Sequence, residues 1–569
     1  MSEFDLFSNL KTESMKDDSN KILTENGAIA FESMGSKLVD IDSAASTFRT
    51  VDIDEIKEKM DAAYKENPQD ATKWMFYLGD IREGKGERRG FNACMDYMAS
   101  QHPEITKELI PLIPEYTRWD YATRLMKSAN PEVSRAATDF VKEQLKSDMT
   151  SDHPSLLAKW LPSIQTKKKD ERQIVFKLER ELGIDHKGYR KMLSGIREKL
   201  NIMEKYLSTH TMDQINMENL TSHQNLKYRE AFQKWVPEAR EDYLKKVMSG
   251  EAKMNAGVVS PHEIVHAYSD GWNNPKDYNM DLETMWKMLP DKVQGDSSTL
   301  VIRDGSGSMT NTIGRQTSAR CLDVATAMSI YFAERQTGPL ADKFITFSAN
   351  PKIVDMSHCD SLHDKLELCS HYSDCSNTNL EKTFDLLLDT LKKNQATQED
   401  VPKNILIISD MEFDAATTNY DFRLHDYVGK WNQSLFETIS DRWKEEGYEL
   451  PTMLFWHVNA DRVVQPMIDN DRGLVLLSGF STNVLDMVLT GEFEREIVDE
   501  KTGEVEKVVI SPEEQLAMRL AKERYDDVEK AFQRGLQAER SYKKDVDINI
   551  EFETVENPQE KKKEQGLDR

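Results

Sequence analysis

Thr299-Leu300-Val301-Ile302-Arg303-Asp304-Gly305-Ser306-Gly307-Ser308 is the stretch whose reading decides the fold. Its first four residues read as a short strand buried on both faces, and Asp-Gly-Ser-Gly-Ser as the loop at the carboxyl end of that strand. Phe344-Ile345-Thr346-Phe347, Ile405-Leu406-Ile407-Ile408, Met453-Leu454-Phe455-Trp456 and Leu474-Val475-Leu476-Leu477 repeat the pattern, with helical stretches near 317–336, 379–393, 432–445 and 482–490 between them. Apolar strands separated by helices require a parallel sheet covered on both faces. Residues 293–493 are therefore expected to form a doubly wound, Rossmann-like α/β domain.

Upstream the texture differs. From about 52 to 290, apolar residues recur at helical spacing between short Pro or Gly breaks: around Trp74, Phe76, Tyr77 and Leu78, through Val141-Lys142-Glu143-Gln144-Leu145, and through Leu193, Ile196, Leu200 and Met203. Residues 51–292 are expected to be an all-helical domain, its short tandem helices stacked as a solenoid-like array without a repeat of fixed length. Residues 1–50, with Ser/Asp/Asn-rich runs such as Lys16-Asp17-Asp18-Ser19-Asn20, read as a flexible N-terminal arm. Beyond Gly491 the chain is strongly charged. Glu496-Ile497-Val498 and Val508-Val509-Ile510 suggest a hairpin, and Ser511-Pro512-Glu513-Glu514 opens a helix presenting Leu516, Leu520, Val528 and Phe532. Residues 494–555 are expected to pack back on the core, and 556–569 to be a disordered tail.

Composition bounds the function. A net charge of -25 over 569 residues and a mean hydropathy of -0.65 argue against a membrane protein and against a generally basic nucleic-acid coat. No apolar run approaches the roughly 18 residues that span a bilayer, and Met1-Ser2-Glu3-Phe4-Asp5 does not begin a secretory signal, so the expected compartment is the cytoplasm. Five cysteines at irregular spacings read as reduced thiols. His358, Cys359, His363, Cys369, His371 and Cys375 crowd one segment without the spacing of a zinc site, and are expected to be buried thiols beside surface histidines.

Asp304, Ser306 and Ser308 offer one carboxylate and two hydroxyls at alternate positions, hard oxygen ligands suited to Mg²⁺ or Mn²⁺. Alone, such a string is as readily a turn or a helix cap. The arrangement resembles the metal-ion-dependent adhesion site of von Willebrand factor A domains, which adds a distant threonine and a distant aspartate. That resemblance assigns these roles to Thr378, in Asn377-Thr378-Asn379-Leu380 ahead of a helix, and to Asp410, in Ser409-Asp410-Met411 after the strand 405–408. Arg303 departs from the pattern, and its charge would work against a nearby cation.

Gly79-Asp80-Ile81-Arg82-Glu83-Gly84-Lys85-Gly86 nearly spells a phosphate-binding loop, but Gly86 replaces the hydroxyl residue and a helix rather than a strand precedes it, so nucleotide hydrolysis is rejected. Taken in order, Gly79 to Arg89, Arg118-Trp119-Asp120, Ala158-Lys159-Trp160-Leu161-Pro162, Tyr189-Arg190-Lys191 and Lys227-Tyr228-Arg229-Glu230-Ala231-Phe232 resemble the Ro ribonucleoprotein (TROVE-module) superfamily, in its plant, fungal and phage branch. The resemblance implies a ring of HEAT-like helical repeats followed by a von Willebrand factor A-like domain, with small structured RNAs on a basic outer face and single-stranded RNA ends in a central hole. It brings Lys85, Arg88, Arg89, Arg118 and Lys159 forward as RNA contacts. For Lys85, Arg88 and Arg89, pairing with Glu83 and Glu87 at a helix end is an equal alternative.

Independently of any family, Lys159 to Lys199 holds twelve Lys/Arg and six Asp/Glu, a net of 12 - 6 = +6. Lys167, Lys168, Lys169, Arg172, Lys187, Arg190 and Lys191 are expected to meet phosphates, and Tyr189 to stack on a base. A solvated face paired with acidic residues is the bland alternative. The function expected is a non-enzymatic RNA-binding scaffold in RNA quality control or ribonucleoprotein assembly, with no DNA or membrane partner. The alternative is a protein-interaction module whose metal grips a partner's carboxylate. Neither a nucleophile elbow nor a cluster of carboxylates for metal-dependent hydrolysis is present in the sequence.

Overall fold

A computed structural model describes residues 18–24, 28–200, 203–269, 275–293, 298–314, 317–347, 351–372, 380–413, 435–458, 464–468, 473–480, 494–498 and 505–555, with the backbone alone for 494–498, 505–509 and 543–555. The N-terminal half is helical and the C-terminal part carries a six-stranded sheet. Helices α1 (Lys37–Ser43), α2 (Ile53–Glu66), α3 (Pro68–Gly79), α4 (Arg88–Gln101), α5 (Pro103–Leu109), α6 (Pro131–Thr150), α7 (Lys169–Leu182), α8 (His186–Lys199), α9 (Ser222–Trp235), α10 (Pro237–Ser249), α11 (Pro261–Tyr268) and α12 (Met280–Lys287) follow one another with shorter helical turns between. Their punctuation is chemical. Proline occupies the first helical position of α3, α5, α6, α10 and α11, where its missing N–H costs nothing. Gly183 and Gly250 end α7 and α10 at φ 66° and 82°, a conformation that a Cβ would strain.

Two compact units result, neither of them continuous in sequence. One gathers the described residues of 1–91 and 203–521, the other those of 92–202 and 522–569. In the first unit, β3 (Thr299–Asp304), β4 (Lys343–Phe347), β5 (Lys352–Asp355), β6 (Asn404–Ser409), β7 (Thr452–His457) and β8 (Leu474–Ser478) form a sheet of order β5-β4-β3-β6-β7-β8. All neighbours are parallel except β5 against β4. Every residue of β3 and β7 is buried, as the apolar runs require. Helices α13 (Cys321–Ala333), α14 (Leu362–Ser370), α15 (Glu381–Lys393) and α16 (Leu435–Glu445) connect the strands; α13, α15 and α16 lie within three expected segments, and 482–490 falls outside the described residues. Because β4 lies on one side of β3 and β6 on the other, the chain reverses direction at the carboxyl ends of β3 and β6, the place where open α/β sheets hold ligands.

The arm expected over residues 1–50 is corrected for its described part. A hairpin of β1 (Lys21–Leu23) and β2 (Ile29–Phe31) precedes α1, and Phe31, Leu38, Val39, Ile41 and Phe48 are buried. Phe31 exchanges both backbone hydrogen bonds with Gln465, at 2.8 and 2.9 Å. Two of its acidic residues have partners within the fold: Asp40 accepts from Ser33 Oγ and the Met34 amide, and Asp42 accepts from the Trp74 indole at 2.9 Å.

The charged C-terminal region carries the expected hairpin, β9 (Glu494–Val498) against β10 (Val505–Val509), and the Ser511 capping box opens α17 (Pro512–Leu520). The single helix expected from there is instead two. The helix stops at Leu520, and α18 (Asp526–Val555) begins in the other unit, where it packs on α5. There the stacked rings of Tyr116 and Tyr525 lie 5.8 Å apart, and Arg534 pairs with Glu108 at 2.7 Å. Among the described residues no helix is long and apolar enough to cross a membrane.

The approach of α18 to α5 depends on Gly535, where a Cβ would lie 2.3 Å from Ile105 Cα. Gly535→Ala should therefore lower the thermal midpoint, at a cost of about 1–3 kcal/mol for overpacking. Gly195→Ala on exposed α8, where a Cβ meets nothing within 4 Å, should leave it unchanged or raise it slightly. Equal midpoints for both variants in a thermal melt followed by circular dichroism would contradict the packing.

Candidate functional site

Asp304 ends β3 and Ser409 ends β6, adjacent parallel strands in which Arg303 pairs with Ile408. The register alone therefore sets the two side by side. Ser409 Oγ donates to Asp304 Oδ2 at 2.6 Å, the Ser306 amide donates to Asp304 Oδ1 at 2.8 Å, and the Ser306 and Ser308 hydroxyls lie 3.0 Å apart. Asp410 follows, its Oδ1 accepting from the Glu412 amide at 3.2 Å, in a turn that Met411 makes at φ 63°. Asp304, Ser306 and Asp410 are all buried. Burial, and then the charge of nearby Asp410, push the Asp304 carboxyl up to about 7, against the pull of its hydrogen bonds from Ser409 and Ser306. Two like charges in a dry place, surrounded by hydroxyls, are a donor set that a hard divalent cation fits and neutralises. Asp304, Ser306, Ser308 and Asp410 are the described residues that would hold Mg²⁺ or Mn²⁺; Thr378 lies outside the described residues. Ser409, which the sequence reading passed over, is the direct partner of Asp304.

Arg303 stays beside this loop, its Nη2 lying 4.0 Å from where a Cβ on Gly305 would stand. Side chains alternate across a strand, and the buried guanidinium of Arg303 donates to Thr326 Oγ1 at 3.2 Å and the Tyr372 carbonyl at 3.1 Å while lying 5.4 Å over the Phe344 ring.

The expected RNA contacts divide sharply. Lys85 is corrected: its ammonium is buried, 2.8 Å from Asp42 Oδ1, and donates to the carbonyls of Asp42 at 2.9 Å and Ser478 at 3.0 Å. Tyr189 is corrected too, being fully buried with its hydroxyl donating to the Pro162 carbonyl at 3.0 Å, so no base reaches its ring. Arg89 is partly buried against the Phe48 carbonyl. Arg118 pairs with Asp120 at 2.7 Å and stacks 4.1 Å over the half-buried Trp160, beside which lies Lys159. Arg88 is exposed at the first residue of α4. Lys168 is exposed but pairs with Glu171 at 3.0 Å, and Arg172 is exposed and donates to the Lys167 carbonyl. Lys167, Lys169, Lys187, Arg190 and Lys191 are exposed and make no ion pair among the described residues. On α8 the last three sit at i, i+3 and i+4, which puts them on one helical face.

The Cys/His segment separates only in part among the described residues, since Cys359 and His363 are both half-buried. Cys369 is buried and its thiol is pushed up to about 11 by that burial, while His358 and His371 are exposed; Cys375 lies outside the described residues. Among the described residues, a trio of ligand-bearing side chains stands close together on α14, namely His363, Asp364 and Glu367, and it contains no cysteine.

Residues 298–531 match the family described as "Domain of unknown function (DUF7788)", and residues 24–113 with 135–299 match "Domain of unknown function (DUF2828)". The two matches meet at the start of β3. "Uncharacterized protein L728" of Acanthamoeba polyphaga mimivirus is 26% identical over 516 residues, covering 83% of this chain and 85% of that protein. Among solved structures, the Deinococcus radiodurans RO (RSR) protein aligns over 77% of this chain and 91% of its own at 12% identity and a TM-score of 0.35, a likeness too distant to carry an argument.

Two outcomes check these assignments. Lys85→Met should lower the thermal midpoint, since breaking a buried ion pair costs about 3–5 kcal/mol, yet leave RNA retention by the folded protein at the wild-type level in a gel shift. In the metal-free protein, the raised Asp304 pKa supplies stability that is present below the unfolded carboxyl range near 4 and lost as the pH rises through about 7. In chelator, wild type should therefore gain thermal midpoint relative to Asp304→Asn as the pH falls through that window, and only wild type should be stabilised by added Mg²⁺. A Mg²⁺ shift that persists in Asp304→Asn would remove the metal assignment.

Proposed function

We propose that the chain is a non-catalytic, cytoplasmic RNA-binding scaffold, its helices a stacked HEAT-like array and its α/β part a von Willebrand factor A-like domain holding Mg²⁺ or Mn²⁺. The observation that carries this reading is the set of five exposed cations that make no ion pair among the described residues, in a segment of net +6 within a chain of net -25. Cations in surface helices of an acidic protein ordinarily find carboxylates. Five left without one among the described residues present a surface that a phosphate backbone neutralises, releasing its counterions. The order of sequence motifs shared with the Ro superfamily supports the same ligand, namely small structured RNA or single-stranded ends, in ribonucleoprotein assembly or RNA quality control. With the Tyr189 ring buried, recognition falls to charge and shape on this face rather than to stacking there.

A second reading, a metal-dependent protein-interaction module, is favoured by Asp304 and Asp410 at the carboxyl edge of the sheet. A divalent ion bound there would supply an open coordination position for a partner's carboxylate. The chain's own residues would hold the site: Ser409 orients Asp304, and the Ser306 amide fixes its other oxygen.

Retention of a single-stranded 20-mer and of a small hairpin RNA, measured by gel shift across salt, separates the readings. Wild type should bind both in a salt-sensitive way. Replacing Lys187, Arg190 and Lys191 together with Gln should weaken binding at least about tenfold and lower the salt slope by about three, without moving the thermal midpoint. Wild-type protein that retains neither RNA at low salt overturns the proposal and leaves the metal-dependent module.

A further inference from the structure

To the charge and shape of the basic segment, α7 adds an open aromatic ring. Charge alone holds an RNA strand or a duplex, whereas a ring is covered only by a base that has left its pair. Between Lys159 and Lys199 the chain has three Phe, Tyr or Trp side chains. Tyr189 is buried, and Trp160 is half-buried with the Arg118 guanidinium 4.1 Å over its ring. Phe176 differs. It is 54% exposed, the one large apolar side chain of that segment exposed among the described residues.

The core does not explain its position. Helix α7 buries Ile174, Val175 and Leu178, while Lys169, Arg172, Phe176 and Arg180, at i, i+3, i+7 and i+11, form its exposed stripe. A guanidinium therefore stands one turn from the ring on either side, Arg172 before it and Arg180 after it. Arg180 pairs with the exposed Glu181 at 3.1 Å; Lys169 and Arg172 make no ion pair among the described residues.

The turn after α7 supplies a second ring. Gly183 ends the helix with the Ile184 amide donating to the Glu179 carbonyl at 3.0 Å, and Asp185 caps α8 by accepting from the Gly188 amide at 2.7 Å. This reversal lays the His186 ring on that of Phe176, with centroids 5.8 Å apart and planes within 24° of parallel. Buried Glu179 fixes the imidazole, its Oε1 lying 2.5 Å from His186 Nδ1. From His186 the cations continue along α8: Lys187 follows it and Arg190 stands one turn on, both exposed and without an ion pair among the described residues. An apolar protein partner covering Phe176 would have to desolvate these charges without replacing their hydration. A nucleotide covers the ring with its base and brings phosphate to the cations.

From this arrangement we propose that Phe176, backed by His186, is a stacking platform for one unpaired base of an RNA strand whose phosphates meet Lys169 and Arg172 on α7 and Lys187 and Arg190 on α8. The inference rests on the RNA reading and narrows the ligand at this face to strands with unpaired bases.

Gel shifts of the full-length chain with a single-stranded RNA 20-mer, and with the fully paired duplex of the same 20-mer, test it across salt. Phe176→Leu, which keeps an apolar side chain and removes no charge, should weaken binding of the single strand at least about fivefold. It should leave duplex binding and the salt slope at their wild-type values, and Phe176→Tyr should restore the single strand. Replacing Lys187, Arg190 and Lys191 together with Gln should instead weaken both RNAs and lower the slope. A thermal midpoint near wild type establishes that Phe176→Leu is folded. Phe176→Leu that holds the single strand as tightly as wild type overturns the proposal while leaving the RNA reading in place. Equal losses for strand and duplex overturn it as well, since the ring would then be supporting the charged face rather than holding a base. Wild-type protein that retains neither RNA removes the RNA reading, and the platform with it.

Discussion

A buried ammonium in the first unit constrains more of the chain than any other group described. Lys85 lies in the loop between α3 and α4, and an amine taken out of water must find a carboxylate and enough acceptors to replace its hydration. It finds Asp42 on α1 and the carbonyl of Ser478 at the end of β8, while Arg519 on α17 stands 3.7 Å from the other oxygen of the same aspartate and the Trp74 indole donates to it. Segments more than 400 residues apart in sequence are thereby held at one point. The neighbouring contacts depend on it: the Ser46 amide donates to Ser478 Oγ at 3.0 Å, and Ser46 Oγ lies 2.8 Å from His457 Nδ1. This is how the early residues become part of the covering of a sheet whose first strand begins at Thr299.

That constraint was invisible locally, which explains where the reading of the sequence succeeded and where it did not. The strands at 299, 343, 404, 452 and 474 could be read because a strand buried on both faces must be apolar throughout. The edge strand Lys352–Asp355 buries only Val354, and four residues with one inward side chain give no period to detect. Residues 28–50 follow the polar run Lys16–Asn20 and carry charges whose partners are not evident locally: for Asp40 a serine and a backbone amide close by, for Asp42 an indole and an ammonium farther along the chain. The break between α17 and α18 has the same character. Both helices are amphipathic, but their apolar faces belong to different units.

The candidate centre shows the same division. The alternating aspartate and hydroxyls after β3 could be read directly, and so could Asp410 after β6. Ser409 could not, because its importance comes from a parallel register that only the folded sheet defines. Tyr189 was legible and was misread. It shares a helical face with Leu193 and Ile196, all three buried, and that spacing marks an inward ring even inside a basic run. Lys85 offered no such signal, since its partner Asp42 is 43 residues upstream.

The second unit carries a consequence for how the chain comes to be made. Its described residues of 92–202 are completed by α18, which begins at Asp526, 324 positions beyond residue 202 (526 - 202 = 324). At about 5–20 residues per second of synthesis, the apolar face of α5 waits tens of seconds for the helix that covers it. The close approach at Gly535 is then the last part of this unit to form, and it requires a contact of very long sequence separation, the kind that folds slowly. During that interval Ile105 and Leu109, fully buried in the finished protein, are the surface on which a newly made chain is exposed to chaperones or to its neighbours on the same messenger.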